Sequence, residues 1–107
     1  MSDLISLSGL LKKLPEARVL CIGDIMLDSY IYGSAERLSP EAPIPVLKKT
    51  REKEVLGGVG NVVAGLAALG AKTRLVSLRG DDEAGLAVMR LLEKFEVESS
   101  GVVIDRM

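Results

Sequence analysis

The chain has 107 residues, of which 48% are hydrophobic and 27% charged, with a net charge of −1: the composition of one small globular domain, not of a disordered chain. That charge balance supplies no basic field for nucleic acid, and no apolar run is long enough to cross a membrane. With no histidine and a single cysteine, Cys21, internal disulfides are excluded and any acid–base work falls to carboxylates.

Residues 1–8 lack a basic region ahead of an apolar core, so no secretory leader is read and the cytosol is the expected compartment. Residues 4–14 place Leu4, Ile5, Leu7, Leu10, Leu11 and Leu14 at helical spacing, with Lys12 and Lys13 suiting the C-terminal dipole and Pro15 as the stop. Residues 18–24 then read as a strand buried on both faces of a parallel sheet: four apolar residues, Gly23 and an acid. Cys21 falls inside that run, where a small buried thiol is expected rather than a nucleophile.

Ligands of open α/β sheets collect beyond the carboxyl ends of such strands, where Asp24 and Asp28 follow. An ionised carboxylate accepts hydrogen bonds from several hydroxyls, which suits a polyol or sugar. Solvated loop acids are the plainer reading, and Asp24 has a further one, satisfying backbone N–H groups in the turn after Gly23. Residues 29–33 and 44–50, separated by the turn-rich Ser39-Pro-Glu-Ala-Pro, suggest a small β-flap over about 29–55, with Pro45 marking an edge strand. Tyr30 and Tyr32 are expected on one face and Ile31 on the other. Two strands alone are marginal in water, so the flap is expected to pack over a ligand or a second subunit.

The glycine cluster Gly57, Gly58 and Gly60 leads into an uncharged apolar run over about 59–69, read as a loop feeding a helix that is covered on most sides. Its first N–H groups and positive dipole end favour a hydroxyl oxygen or an anion, and Asn61 adds a donor and an acceptor. A tight turn before a buried helix explains the same glycines, and Gly70 fits the left-handed residue that stops such a helix. Residues 73–78 form a second core-strand candidate. A helix capped by Asp81 or Asp82 then carries Leu86, Met89, Leu92 and Phe95 as an i, i+3 stripe, and residues 97–104 supply a third strand.

The order helix, strand, flap, helix, strand, helix, strand specifies an α/β fold with a parallel sheet and crossover helices. Too little follows the last strand to cover a sheet buried on both faces, so residues 1–107 are expected to form the N-terminal portion of a larger domain.

Three segments together resemble the N-terminal part of the PfkB, or ribokinase-like, carbohydrate kinases. They are residues 19–33 around Asp24 and Asp28, the run Arg37-Leu-Ser-Pro-Glu-Ala-Pro-Ile-Pro-Val, and residues 57–70 around Gly57, Gly58 and Asn61. Gly80, Asp82 and Gly85 match a further family motif, Gly-x-Asp-x-x-Gly, whereas Val59 and Val63 are larger than the family's usual residues. The second segment resembles the heptose 7-phosphate kinase group in particular.

The resemblance implies a Rossmann-like sheet with a lid. Asp28, the Gly57–Gly58 backbone and Asn61 would hold the sugar, with Arg37 a candidate for its phosphate. It also implies a sugar phosphate substrate, ATP and Mg2+ for the complete domain, and a homodimer through the flap. The family's catalytic aspartate lies in a Gly-x-Gly-Asp that these residues lack, so no catalytic residue, metal ligand or nucleotide site is expected here. A non-catalytic nucleotide- or small-ligand-binding domain, or an assembly module built through the flap, remain the rival readings.

Overall fold

The computed structural model describes residues 2–106, so Met1 and Met107, the ends of the expected 1–107 unit, lie outside the described residues. In chain order the elements are α1 (Ser2–Leu11), a 3-10 turn at Leu14–Glu16, β1 (Arg18–Ile22), β2 (Ile25–Leu38) and β3 (Pro45–Gly58). They continue with α2 (Val59–Ala68), β4 (Lys72–Gly80), α3 (Glu83–Lys94) and β5 (Glu98–Asp105). Pro15 sits inside the 3-10 turn, and α1 ends at Leu11, earlier than the expected residue 14.

β1, β4 and β5 form a parallel sheet in the order β1-β4-β5. Both crossovers step the same way across it, and right-handed connections then place both helices on one face. Under them, Val63, Leu75 and Leu92 are fully buried, joined by Cys21, Leu56, Val88, Val97 and Val102. Along β4 burial alternates strictly: Thr73, Leu75 and Ser77 are covered while Arg74, Val76 and Leu78 are not.

The opposite face is bare, in keeping with the expectation that too little chain is present to cover both sides of the sheet. Leu20, Ile22, Leu78 and Val103 there are 56–70% exposed, because no described element crosses that side. The apolar residues of α1 are exposed as well.

The α3 stripe is corrected. Each i+3 step falls about 60° short of a full turn, so over three steps Leu86 and Phe95 end on opposite sides of the helix. The covered side carries Gly85, Ala87, Val88 and Leu92, and Leu86 points outward. α2 likewise keeps a bare side, with Val62 and Leu69 exposed, where cover on most sides was expected. Leu92→Ala removes a fully buried side chain from the centre of the core and is expected to cost about 2–5 kcal/mol, read as a lower urea midpoint.

The flap is longer than the expected 29–55. β2 and β3 pair antiparallel from Ile25↔Gly58 to Leu38↔Pro45, with irregularities after Tyr32 and after Ala35. Pro45 opens β3, where no ladder bond is lost. Register puts Tyr30 and Tyr32 opposite Lys53 and Arg51, and Ile31 opposite Glu52, on alternate faces as expected. The Arg51 guanidinium lies 4.1 Å from the Tyr32 ring centre. Hydrogen bonds from Lys49 and Ser29 hold the Glu52 carboxyl below the ordinary carboxylate range. The projecting flap and α1 account for a radius of gyration of 19.0 Å, against about 13 Å for a compact chain of this length.

Candidate functional site at the entrance to α2

The glycine cluster is the place where β3 becomes α2. Gly58 has φ +59 and ψ −135, a backbone region that only glycine enters readily, and it stands as the N-cap of α2. A Cβ there would run into the Asp24 carbonyl oxygen and lie 3.1 Å from Met26 Cε. The turn after β1 therefore sits directly against the start of α2, and the Val59 amide donates to the Asp24 carbonyl at 2.9 Å.

Asp28 lies on β2 opposite Val55, on the flap face that also carries Gly57. Its exposed carboxylate covers Gly57 so closely that a Cβ there would lie 2.6 Å from Asp28 Cγ and 2.7 Å from Oδ1. Gly57 is thus the residue whose missing side chain makes room for the acid. Asn61 is exposed at the third position of α2, one turn from Gly58, at the helix end whose partial positive charge favours an anion or a hydroxyl oxygen.

The structure brings Asp28 onto Gly57, next to Gly58 in the chain, and places Asn61 three residues after Gly58 in the first turn of α2. Arg37 is not brought to this entrance. It is nine residues further along β2, about 30 Å at the rise of an extended strand. Asp24 does not cap the turn with its carboxylate as expected. The Ile25 amide takes Ser77 Oγ at 3.1 Å, and Asp24 contributes its carbonyl instead.

Ser77 escaped the sequence reading. The signal was there: period-two alternation puts it on the covered face with Thr73 and Leu75, where a hydroxyl must find partners.

The Gly-x-Asp-x-x-Gly segment is a tight knot between β4 and α3. Asp82 caps α3 as expected, accepting the Gly85 amide at 2.8 Å on Oδ1, while Asp81 pairs with Arg106 at 3.0 Å. A Cβ on Gly85 would strike the Gly80 carbonyl, so the helix start lies on the strand end. Beside it a cleft of about 330 Å³, lined by Ile25, Leu27, Arg79, Asp82 and Asp105 among others, opens at the carboxyl ends of β4 and β5. Asp28 and Gly57 do not line this cleft. The two larger valines have a packing role: Val63 is fully buried, and Val59 Cβ lies 3.2 Å from where a Cβ on Gly23 would stand.

Among the described residues no helix is long and apolar enough to cross a membrane. The sequence pattern of the pfkB family carbohydrate kinases matches residues 16–106. The chain is 52% identical over 104 residues to the bifunctional protein HldE of Paramagnetospirillum magneticum, covering 96% of this chain and 21% of that one. To the bifunctional protein HldE of Hyphomonas neptunium it is 49% identical over 88 residues, 82% of this chain and 18% of that one. It thus spans about a fifth of the length of these curated relatives.

A carbohydrate kinase from Agrobacterium tumefaciens superimposes with a TM-score of 0.65 at 24% identity, over 85% of this chain and 28% of that one. A fructokinase with bound ATP from Xylella fastidiosa gives 0.62 at 21% identity, over 84% and 26%. These likenesses show the ribokinase-like fold, and the expected fold class holds. With its fold shared and residues 16–106 matching the family pattern, the chain belongs to the pfkB family of carbohydrate kinases.

Proposed function

We propose that this chain supplies the sugar-binding part of an ATP-dependent kinase acting on a heptose 7-phosphate-like sugar, in the cytosol, on the route to ADP-heptose and lipopolysaccharide. The observation that carries the reading is the packing of the Asp28 carboxylate on Gly57, beside the Gly58 turn into α2. A carboxylate accepts hydrogen bonds from adjacent sugar hydroxyls, and the helix start favours a further hydroxyl oxygen, with Asn61 bonding either way. The resemblance of residues 37–46 to heptose 7-phosphate kinases, and the HldE relatives, support the choice of sugar.

ATP with Mg2+ is the phosphoryl donor of the complete domain in this reading. The 107 residues contain no Gly-x-Gly-Asp. Among the described residues no group of three or more Cys, Asp or Glu gathers to hold a metal ion. No phosphoryl-transfer step is assigned to these residues.

The bare sheet face is where the rest of such a domain would dock. The exposed Tyr30, Ile31 and Leu47 of the flap suit a lid that also pairs with a second copy, which is the setting in which Arg37 would meet a phosphate. Neither nucleic acid nor a membrane is a partner in this reading.

Calorimetric titration tests it. D-glycero-D-manno-heptose 7-phosphate is expected to bind this chain, and ATP with Mg2+ is expected not to. The reverse pattern would favour a nucleotide-binding module instead.

A further inference from the structure

Ser77 stands in the middle of β4 and is only 8% exposed, under the helices with Thr73 and Leu75. Its Oγ donates to the Gly23 carbonyl at 2.6 Å and accepts from the Ile25 amide at 3.1 Å. Both partners belong to the turn after β1, more than fifty residues away in sequence.

Those two groups flank Asp24, whose carbonyl accepts the Val59 amide. Ile25 is also the register partner of Gly58, and Asp28 follows three residues later on the same strand. An unbroken path of hydrogen bonds and short backbone links therefore joins one buried hydroxyl to both halves of the entrance.

We propose that Ser77 is a positioning residue for the sugar site: its hydroxyl fixes the turn at residues 23–25, and that turn sets Asp28 against the Gly57–Gly58 entrance. The proposal rests on the reading of that entrance as a sugar site. Ser77 touches no ligand and acts only through the turn. Removing the hydroxyl strips the Gly23 carbonyl and the Ile25 amide of a shared partner, so the turn shifts to recover bonds elsewhere and carries Asp28 with it.

Ser77→Thr and Ser77→Val test this directly, because the two side chains are nearly equal in volume and differ in the hydroxyl. The 107-residue chain is titrated calorimetrically with D-glycero-D-manno-heptose 7-phosphate, reading Kd and stoichiometry separately, with Asp28→Ala as the marker of the site. Ser77→Thr is expected within about twofold of the parent Kd, and Ser77→Val about fivefold or more weaker at unchanged stoichiometry, the scale of one buried hydrogen bond. A merely structural role would instead lower the stoichiometry and leave the Kd of the folded molecules alone.

Equal Kd values for the two variants overturn the proposal and leave the sugar site standing. Absence of binding by the parent chain, or binding that Asp28→Ala does not weaken, overturns both. Should the bulkier residues prevent folding, Ser77→Ala with hydrogen exchange decides: the Val59 amide is expected to exchange about tenfold faster, and an unchanged rate overturns the proposal.

Discussion

Gly58→Ala is expected to lower the unfolding free energy by roughly 2–4 kcal/mol, combining the cost of a strained positive φ with the loss of a backbone hydrogen bond. Two features of the position add up. At φ +59 and ψ −135 an L side chain meets its own backbone, and the new Cβ would meet the Asp24 carbonyl besides. A carbonyl in a tight turn cannot swing aside as a flexible side chain does, so the turn must open. Opening it breaks the bond from the Val59 amide to that carbonyl and loosens the start of α2. Chemical denaturation reads the effect, and sugar binding should fall with it. An alanine variant as stable as its parent would mean that the turn is not the tight junction described.

Asp28→Ala is expected to leave stability within about 0.5 kcal/mol, as for other exposed substitutions away from the core. Its effect should appear in binding. Hydrogen bonds to an ionised group contribute about 1.5–3 kcal/mol, so affinity for heptose 7-phosphate should fall roughly 10- to 150-fold. Gly57→Ala should reproduce much of that loss by another route, because its Cβ would stand within 3 Å of the Asp28 carboxylate and push it away. Here the obstacle is the movable end of an exposed side chain, so the fold should tolerate the change better than it tolerates alanine at 58. Calorimetry with thermal melting separates the two glycines. An Asp28→Ala chain that binds as tightly as its parent would remove the carboxylate from the site.

Much of this architecture is written locally. The apolar run at 19–22, the glycines at 58 and 70, and Asp82 ahead of Gly85 each state a short-range physical requirement: a strand interior, a positive φ or a capped amide. Such requirements depend only on neighbouring residues, so the order of elements and the α2 entrance could be read without coordinates. That Asp28 and Gly57 lie together is implied in the sequence only by the family resemblance. The register of the hairpin, with Asp28 opposite Val55, is what sets the carboxylate on Gly57.

Other features were decided only when distant pieces met. That β1, β4 and β5 keep one face bare follows from the handedness and direction of two crossovers, which no single strand sequence states. The separation of Arg37 from Asp28 is fixed by the length of β2, and the clasp of Ser77 on Gly23 and Ile25 by the pairing of strands more than fifty residues apart. Sequence alone determined which residues can turn, cap and bury. Tertiary structure decided which of them touch, because contact between remote residues is set by sheet order and register rather than by the preferences of either residue.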